Sequence, residues 1–454
     1  MAKFLEIGGR PKKFAGSLRL PPSKSYLHRA LFTAALASDQ SEITSCGTIL
    51  SDDAIATIEA LKAFGATIRH SAEHCGTLRV FPHKTDQSKI SIYSKGSGTT
   101  ARFAISFAAL AKEGAEVTIS GDDSLSNRPM ESIFESLSQL GVKCSYRDDY
   151  GKLPIQVKGG GIMGGTCDVD GSVSSQFVSS LLISCTQAQN DCTINIKDPA
   201  KMVSRPYIDA TLEVLSYFGL KIRIIPSRSK FIGFKIAGSQ NVRGRKFPVP
   251  GDMSTGAALI GATLASQGSA TLLGVKSDFP QSDAAIIPIA EKFGALITSP
   301  RKGLLLVRSR QSKSTSRLDL NLNDSPDIVP VIAGLAAALD RRVRISNVGH
   351  LRFKESDRID VLSRELRKLG VRTRESTSSL SVLGQDKPKN DIRKPILIDP
   401  EGDHRMLMAL AIAGLSGRYG ELRISDPECV RKSYPAFVQD LQQLCHDKNT
   451  VKLM

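Results

Sequence analysis

The chain has 454 residues, more than one compact core usually holds, so two or more domains are expected. Its composition, 41% hydrophobic and 23% charged, is that of a soluble globular protein. With no run of about 18 uncharged apolar residues and no signal-peptide or transit-peptide leader after Met1, a cytoplasmic protein without membrane contact is expected. The formal charge of +16 leaves nucleic acid, an anionic small substrate or a generally basic surface; because the cations are dispersed and Trp is absent, nucleic acid is disfavoured.

The predicted elements recur along the chain. After a first strand ending near Leu18 to Pro21, the polar run Ser23-Lys24-Ser25 leads into an apolar helix over Leu27–Leu31. A second helix starts at Ser51-Asp52-Asp53, ends at Phe64-Gly65 and returns to a strand. The pair repeats: Gly96–Thr100 leads into Ala101–Ala104, followed by Asn127-Arg128-Pro129 and Leu140-Gly141. Next come Ser172–Gln176 into Phe177-Val178, then Ser204-Arg205-Pro206 and Phe218-Gly219. Gly251–Thr255 enters Ala257–Ile260, with Gln281-Ser282-Asp283 and Phe293-Gly294 behind it. Asp324–Asp327 enters Ile328–Pro330, then Lys354–Arg358 and Leu369-Gly370. Gly402–Arg405 enters Met406-Leu407, and a degenerate last copy runs from Arg431–Pro435 to Leu444-Cys445. The five glycines are spaced by 76, 78, 75 and 76 residues. Glycine suits them because the residue after a helix often needs positive φ.

This periodicity predicts six units of two helices and a few short strands, stacked in threes as two similar domains. The first helix of each unit is apolar almost all round, as for a helix buried at a domain centre. Gly238–Val249, rich in Gly and charge, reads as the crossover between halves. Since the unit beginning at Ser23 is complete, the first strand could pair with the C-terminal half.

Helix N-termini favour anions through unsatisfied N–H groups and the helix dipole. The buried helices begin with Ser, Thr and Gln donors and with Lys24, Arg29, Arg102 and Arg405. At the second helices Ser51, Asp52 and Asp283 read as caps. Arg128, Lys354, Arg358 and Lys432 oppose the dipole there, so an external anion between them is expected. Asp327 and Glu355 stand among these cations, and each could either cap a helix or move protons. The eight cysteines show no CxxC pair and no His at metal spacing, so neither a zinc site nor a disulfide framework is expected.

Together these motifs resemble the 5-enolpyruvylshikimate-3-phosphate synthase family. The resemblance is carried by Pro22-Ser23-Lys24-Ser25 with Arg29, Gly98–Arg102, Arg128-Pro129, Ser172–Phe177, Ser204–Ile208, Gly251-Asp252, Arg352–Arg358 and Asp403–Met406, in order along nearly the whole chain. It implies two inside-out α/β domains, each of three βαβαββ units, with the active site in the cleft between them. The domains would be 20–246, and 1–19 with 247–454. The implied reaction moves the enolpyruvyl group of phosphoenolpyruvate to the 5-hydroxyl of shikimate 3-phosphate and releases phosphate, in a protein expected to be a monomer without metal or organic cofactor. By the same resemblance Lys24, Gly98, Arg128, Gln176, Arg358, Arg405 and Lys432 bind phosphoenolpyruvate, with the Thr99 backbone nearby. Lys24, Ser25, Arg29, Ser174, Ser175, Gln176, Ser204, Tyr207, Asp327 and Lys354 hold shikimate 3-phosphate. Asp327 is the implied base, with Glu355 and Lys24 as its proton-transfer partners. Gly96 and His350 depart from the family, which usually has Asn at each. The rival on the same fold is UDP-N-acetylglucosamine enolpyruvyl transferase, which commonly carries a reactive Cys before the Arg-Pro pair; Gly121–Arg128 has none.

Overall fold

Each repeat builds one four-stranded sheet, and all six sheets share one strand order. In the second repeat Lys89–Tyr93 runs parallel to Glu116–Ser120, which pairs antiparallel with Ile155–Lys158, itself antiparallel to Cys144–Tyr146. A parallel pair requires a crossover, here the helix Gly98–Ala108. Val117 and Ile119 are fully buried while Glu116, Thr118 and Ser120 are half-buried, the period-two signature of a sheet covered on one face. This computed structural model describes residues 3–83, 85–147, 149–227, 230–310, 316–385, 394–447 and 449–454.

The chain divides into two compact units, one of residues 22–249 and one of 1–21 with 250–454. Each of the six sheets lies within a single unit. The N-terminal segment supplies two strands to the second unit. Phe4–Ile7 lies between Leu422–Ser425 and Val451–Leu453, and Ala15–Arg19 pairs in parallel with Ser269–Leu273. In the other unit Lys246–Pro248, inside the segment expected to be only a crossover, pairs in parallel with Ser41–Thr44. Phe247 anchors it, fully buried among Tyr26, Tyr217 and Phe218.

Helices, not strands, occupy the interior. All 13 residues of Met253–Ala265 are buried, as are all of Val329–Ala338 and His404–Gly414. Small residues let these three pack closely: a Cβ on Gly334 would overlap the carbonyl of Ala409, and one on Gly261 would stand 3.0 Å from Ile412. The repeat glycines Gly65, Gly141, Gly219, Gly294 and Gly370 all adopt positive φ, between 77° and 108°. In the sixth repeat His446 takes that place at φ 51°. The result is two α/β domains of the inside-out kind, three repeats in each. Among the described residues no helix is long and apolar enough to cross a membrane.

Candidate active site

In the unit 22–249 most of the expected site residues lie at the starts of the three central helices, while Arg128 and Ser204 precede second helices and Tyr207 lies in the first turn of one. Lys24 opens Lys24–Ala34, and its Nζ donates to Asp53 Oδ2 at 2.7 Å. Asp53 is 5% exposed, in the first turn of the neighbouring helix Asp52–Ala63, which Ser51 caps through the Ala54 N–H. Below this pair, His28 Nδ1 lies 2.6 Å from Thr57 Oγ1, Thr57 lies 2.7 Å from Thr100, and Thr100 donates to Ser97 at 2.8 Å. Burial pushes the His28 pKa down to about 3, so this polar chain between helix starts carries no imidazolium charge.

Gly98 follows the cap Ser97, whose hydroxyl accepts the Thr100 N–H. A Cβ on Gly98 would stand 3.2 Å from Arg128 Nη1 and 3.5 Å from Arg102 Nη1, so glycine admits both guanidiniums to the helix start. Arg102 organises the next turn. Its Nη1 donates to Gln176 Oε1 at 2.7 Å, its Nη2 reaches the Pro129 carbonyl at 3.3 Å, and its guanidinium lies over the Phe177 ring. Gln176 Nε2 in turn donates to Thr99 Oγ1 at 2.9 Å. Ser174 and Ser175 are buried beside Gln176, whose backbone N–H Ser174 Oγ accepts. Arg29 is placed differently from a side chain open to ligand. Its guanidinium is 2% exposed and donates to Thr211, Ser179 and the carbonyls of Ser25 and Tyr207. Burial lowers its pKa to about 10. It joins Ser25 to the turn that holds Ser204, buried at φ 55°, and half-buried Tyr207.

In the unit 1–21 with 250–454, the charged residues form one network centred on Arg358. Its Nε donates to Asp403 Oδ2 at 2.8 Å, Nη1 to Asp327 Oδ1 at 3.1 Å and Nη2 to Glu355 Oε2 at 2.8 Å. Burial opposes its charge, but the carboxylates of Asp403, Glu355 and Asp327 outweigh that and hold its pKa above the usual arginine value. Arg405 Nη2 donates to Asp327 Oδ2 at 2.7 Å, so Asp327 is shared between two arginines. Lys432 Nζ lies 3.8 Å from Glu355 Oε1, and half-buried Lys354 precedes Glu355. Asp403 caps its own helix through the Arg405 N–H, which fixes Arg405 relative to Arg358. Asp327 and Glu355 are carboxylates set on cations, and neither is the N-cap residue of its helix. Asp283, expected as a cap, lies inside the turn Ser282–Ala285, whose N-cap is Gln281; its carboxylate takes a hydrogen bond from Ser254.

Across residues 9–441 the sequence matches the family described as EPSP synthase (3-phosphoshikimate 1-carboxyvinyltransferase). The chain belongs to the EPSP synthase family. It is 35% identical over 433 residues to the 3-phosphoshikimate 1-carboxyvinyltransferase of Nitrosopumilus maritimus, covering 95% of this chain and 96% of that protein. To that of Methanosarcina mazei it is 38% identical over 434 residues, covering 94% and 95%. The fold matches a crystal structure of EPSP synthase from Acinetobacter baumannii with a TM-score of 0.77 at 23% identity, over 99% of each chain.

Within the EPSP synthase family frame, the two departures noted above are both buried. Gly96 lies in the turn before Ser97, and His350 is 6% exposed with its pKa pushed down to about 3 by burial. His350 is thus neutral at physiological pH. Asp53 and Asp403 fall outside the expected set, and Arg102, expected among the cations at the helix starts, had no ligand assigned to it. Each lies in or beside a quoted motif, but its partner is 29 to 74 residues away in sequence. Among the described residues no group of three or more His, Cys, Asp or Glu side chains is arranged to hold a metal ion.

Proposed function

We propose that this chain carries out its family's reaction, transferring the enolpyruvyl group of phosphoenolpyruvate to the 5-hydroxyl of shikimate 3-phosphate, with the residues above as its machinery. A proton added at C3 of phosphoenolpyruvate leaves C2 electrophilic. The 5-hydroxyl adds to C2 as its own proton passes to Asp327, giving a tetrahedral intermediate. Loss of a proton from C3 then expels phosphate and restores the double bond. Lys24 and Glu355 are the groups assigned to the C3 proton, and general acid–base help of this kind is worth about 10²–10⁴ in rate.

Arg358, Arg405 and Lys432 bind the carboxylate and phosphate of phosphoenolpyruvate together with Lys24, Arg128, Gln176 and the Gly98 backbone. Arginine suits planar anions because it can donate two parallel hydrogen bonds. Ser25, Ser174, Ser175, Ser204, Tyr207 and Lys354 hold shikimate 3-phosphate. Arg29 serves by fixing the Ser25 and Tyr207 backbones and by its charge. An incoming anion competes for Arg405 with Asp327, which is 22% exposed, whereas fully buried Asp403 stays on Arg358. Asp327 is then released from Arg405 as substrate binds, when a base is needed.

The observation that carries this reading is the placement of Asp327 and Glu355 on one buried arginine, in a chain that matches the family across residues 9–441. The test is phosphate release from purified protein with both substrates; folded protein that releases none above background sinks the reading. A parallel assay with UDP-N-acetylglucosamine in place of shikimate 3-phosphate should show no turnover.

A further inference from the structure

Beside Asp327 stands a carboxyl group that the mechanism above does not use. Asp283 lies in the first turn of the second helix of the fourth repeat, within Ser282–Ala285, and is 3% exposed. It accepts a hydrogen bond from Ser254, in the first turn of the central helix Met253–Ala265. Its own turn is fixed on two sides. Gln281 accepts the Met253 N–H at 3.0 Å and donates to the Gly251 carbonyl at 2.8 Å. Ser282 donates to the Asp324 carbonyl and lies 2.9 Å from Ser325 Oγ, so the turn is tied to the segment that carries Asp327. The charged groups facing Asp283 are Asp327 from that segment, Arg405 from the start of the sixth central helix and Asp252 from the start of the fourth.

We propose that Asp283 is a positioning residue that sets the basicity of Asp327, its negative charge strengthening Asp327 as proton acceptor. The inference rests on the reading of Asp327 as the base. Two carboxyl groups sharing a low-dielectric site raise each other's proton affinity. Burial first, then the Asp327 charge, pushes Asp283 up to about 7, against the pull of Arg405 and Ser254. The Ser254 hydroxyl can donate to the ionised form and accept from the protonated one, so their contact persists in both states. The proton Asp283 gives up goes to solvent, and the negative charge left behind acts on Asp327 without touching substrate.

Asp283→Asn keeps the shape of the neutral carboxyl and cannot ionise. Wild-type kcat is expected to rise about three- to tenfold through neutral pH as Asp283 loses its proton. D283N should stay flat over that interval at the wild-type low-pH rate, with the KM for both substrates unchanged. Ser254→Ala removes a hydrogen bond that favours the charged form, so it should move the midpoint of the rise upward; this variant also serves if D283N does not fold. A D283N profile that still rises like wild type overturns the proposal. So does a loss in kcat and KM together with a lowered Tm, which marks a merely structural role. D327N, measured in parallel, separates the two readings: near-normal kcat in D327N removes the base assignment itself, whereas an inactive D327N beside an unaltered D283N profile removes only the role of Asp283.

Discussion

Arg358 and Asp403 are 1% and 0% exposed and joined at 2.8 Å, and without Asp403 the buried guanidinium keeps Glu355 and Asp327 but loses the one partner that is fully buried. Breaking such a pair from one side costs about 3–5 kcal/mol, because the remaining ion is left in a low-dielectric interior. Asp403→Ala should therefore lower the unfolding free energy in urea titrations by at most about that amount, Glu355 and Asp327 remaining on Arg358, even though Asp403 is not proposed to touch substrate. Lys24 is the contrasting case, a residue 19% exposed whose amino group is assigned to chemistry. Lys24→Met should cost about 10²–10⁴ in kcat, together with a lower urea midpoint because buried Asp53 loses this cation; unaltered kcat would remove Lys24 from the proton-transfer set. The cations of the site were legible because Arg and Lys at a helix N-terminus contradict the dipole, as Arg128 and Arg358 do. Their carboxylate partners were not, since Asp53 and Asp403 look like ordinary helix-start residues until folding brings Lys24 and Arg358 to them. The inward-turned guanidinium of Arg29 was equally hidden: motif and charge carry no mark of burial.

At the scale of elements, two glycines separate close packing from backbone conformation. Gly334 lies within a central helix, where an added methyl group would press on the Ala409 carbonyl of the neighbouring helix. Gly370 ends a second helix at φ 77°, and a Cβ there would meet nothing within 4 Å. Gly334→Ala must force two buried helices apart, with an overpacking cost of about 1–3 kcal/mol or more. Gly370→Ala meets only the strain of a left-handed backbone, about 1–2 kcal/mol. Thermal unfolding should rank Gly334→Ala as the more damaging, and the reverse order would mean that the central helices yield more easily than their packing implies. The Gly370 class of position was readable from the sequence, because a conformational demand recurring every 75 to 78 residues leaves a periodic residue. Even the degenerate sixth copy keeps the conformation with His446 in place of glycine. Lys246–Pro248 was not readable as a strand. Three residues cannot show a period, and its partner Ser41–Thr44 lies some 200 residues earlier in the chain.

At the scale of the whole molecule, the two units differ in how the chain builds them. Residues 22–249 are continuous, and all three of their sheets are completed from within, Lys246–Pro248 included. The other unit is discontinuous: Phe4–Ile7 and Ala15–Arg19 must return to sheets made by residues after Pro250. A domain with its own core and its own closed set of strands can fold alone. The fragment 22–249 should therefore express as a folded protein with a single cooperative thermal transition, whereas 250–454 alone lacks one strand from each of two sheets and should not. The proposed ligand sets divide unequally between them. All shikimate 3-phosphate groups except Asp327 and Lys354 fall in 22–249, whereas phosphoenolpyruvate keeps Lys24, Gly98, Arg128 and Gln176 there and loses Arg358, Arg405 and Lys432. The isolated fragment should then gain stability from shikimate 3-phosphate, by about 2.7 kcal/mol at a hundredfold excess over its Kd, and bind phosphoenolpyruvate more weakly, three of that ligand's cations being absent. It should release no phosphate, lacking Asp327 and Glu355. Calorimetric titration of the fragment with each ligand checks this directly: equal binding of the two, or none of shikimate 3-phosphate by a folded fragment, would show that the residue sets have been divided wrongly.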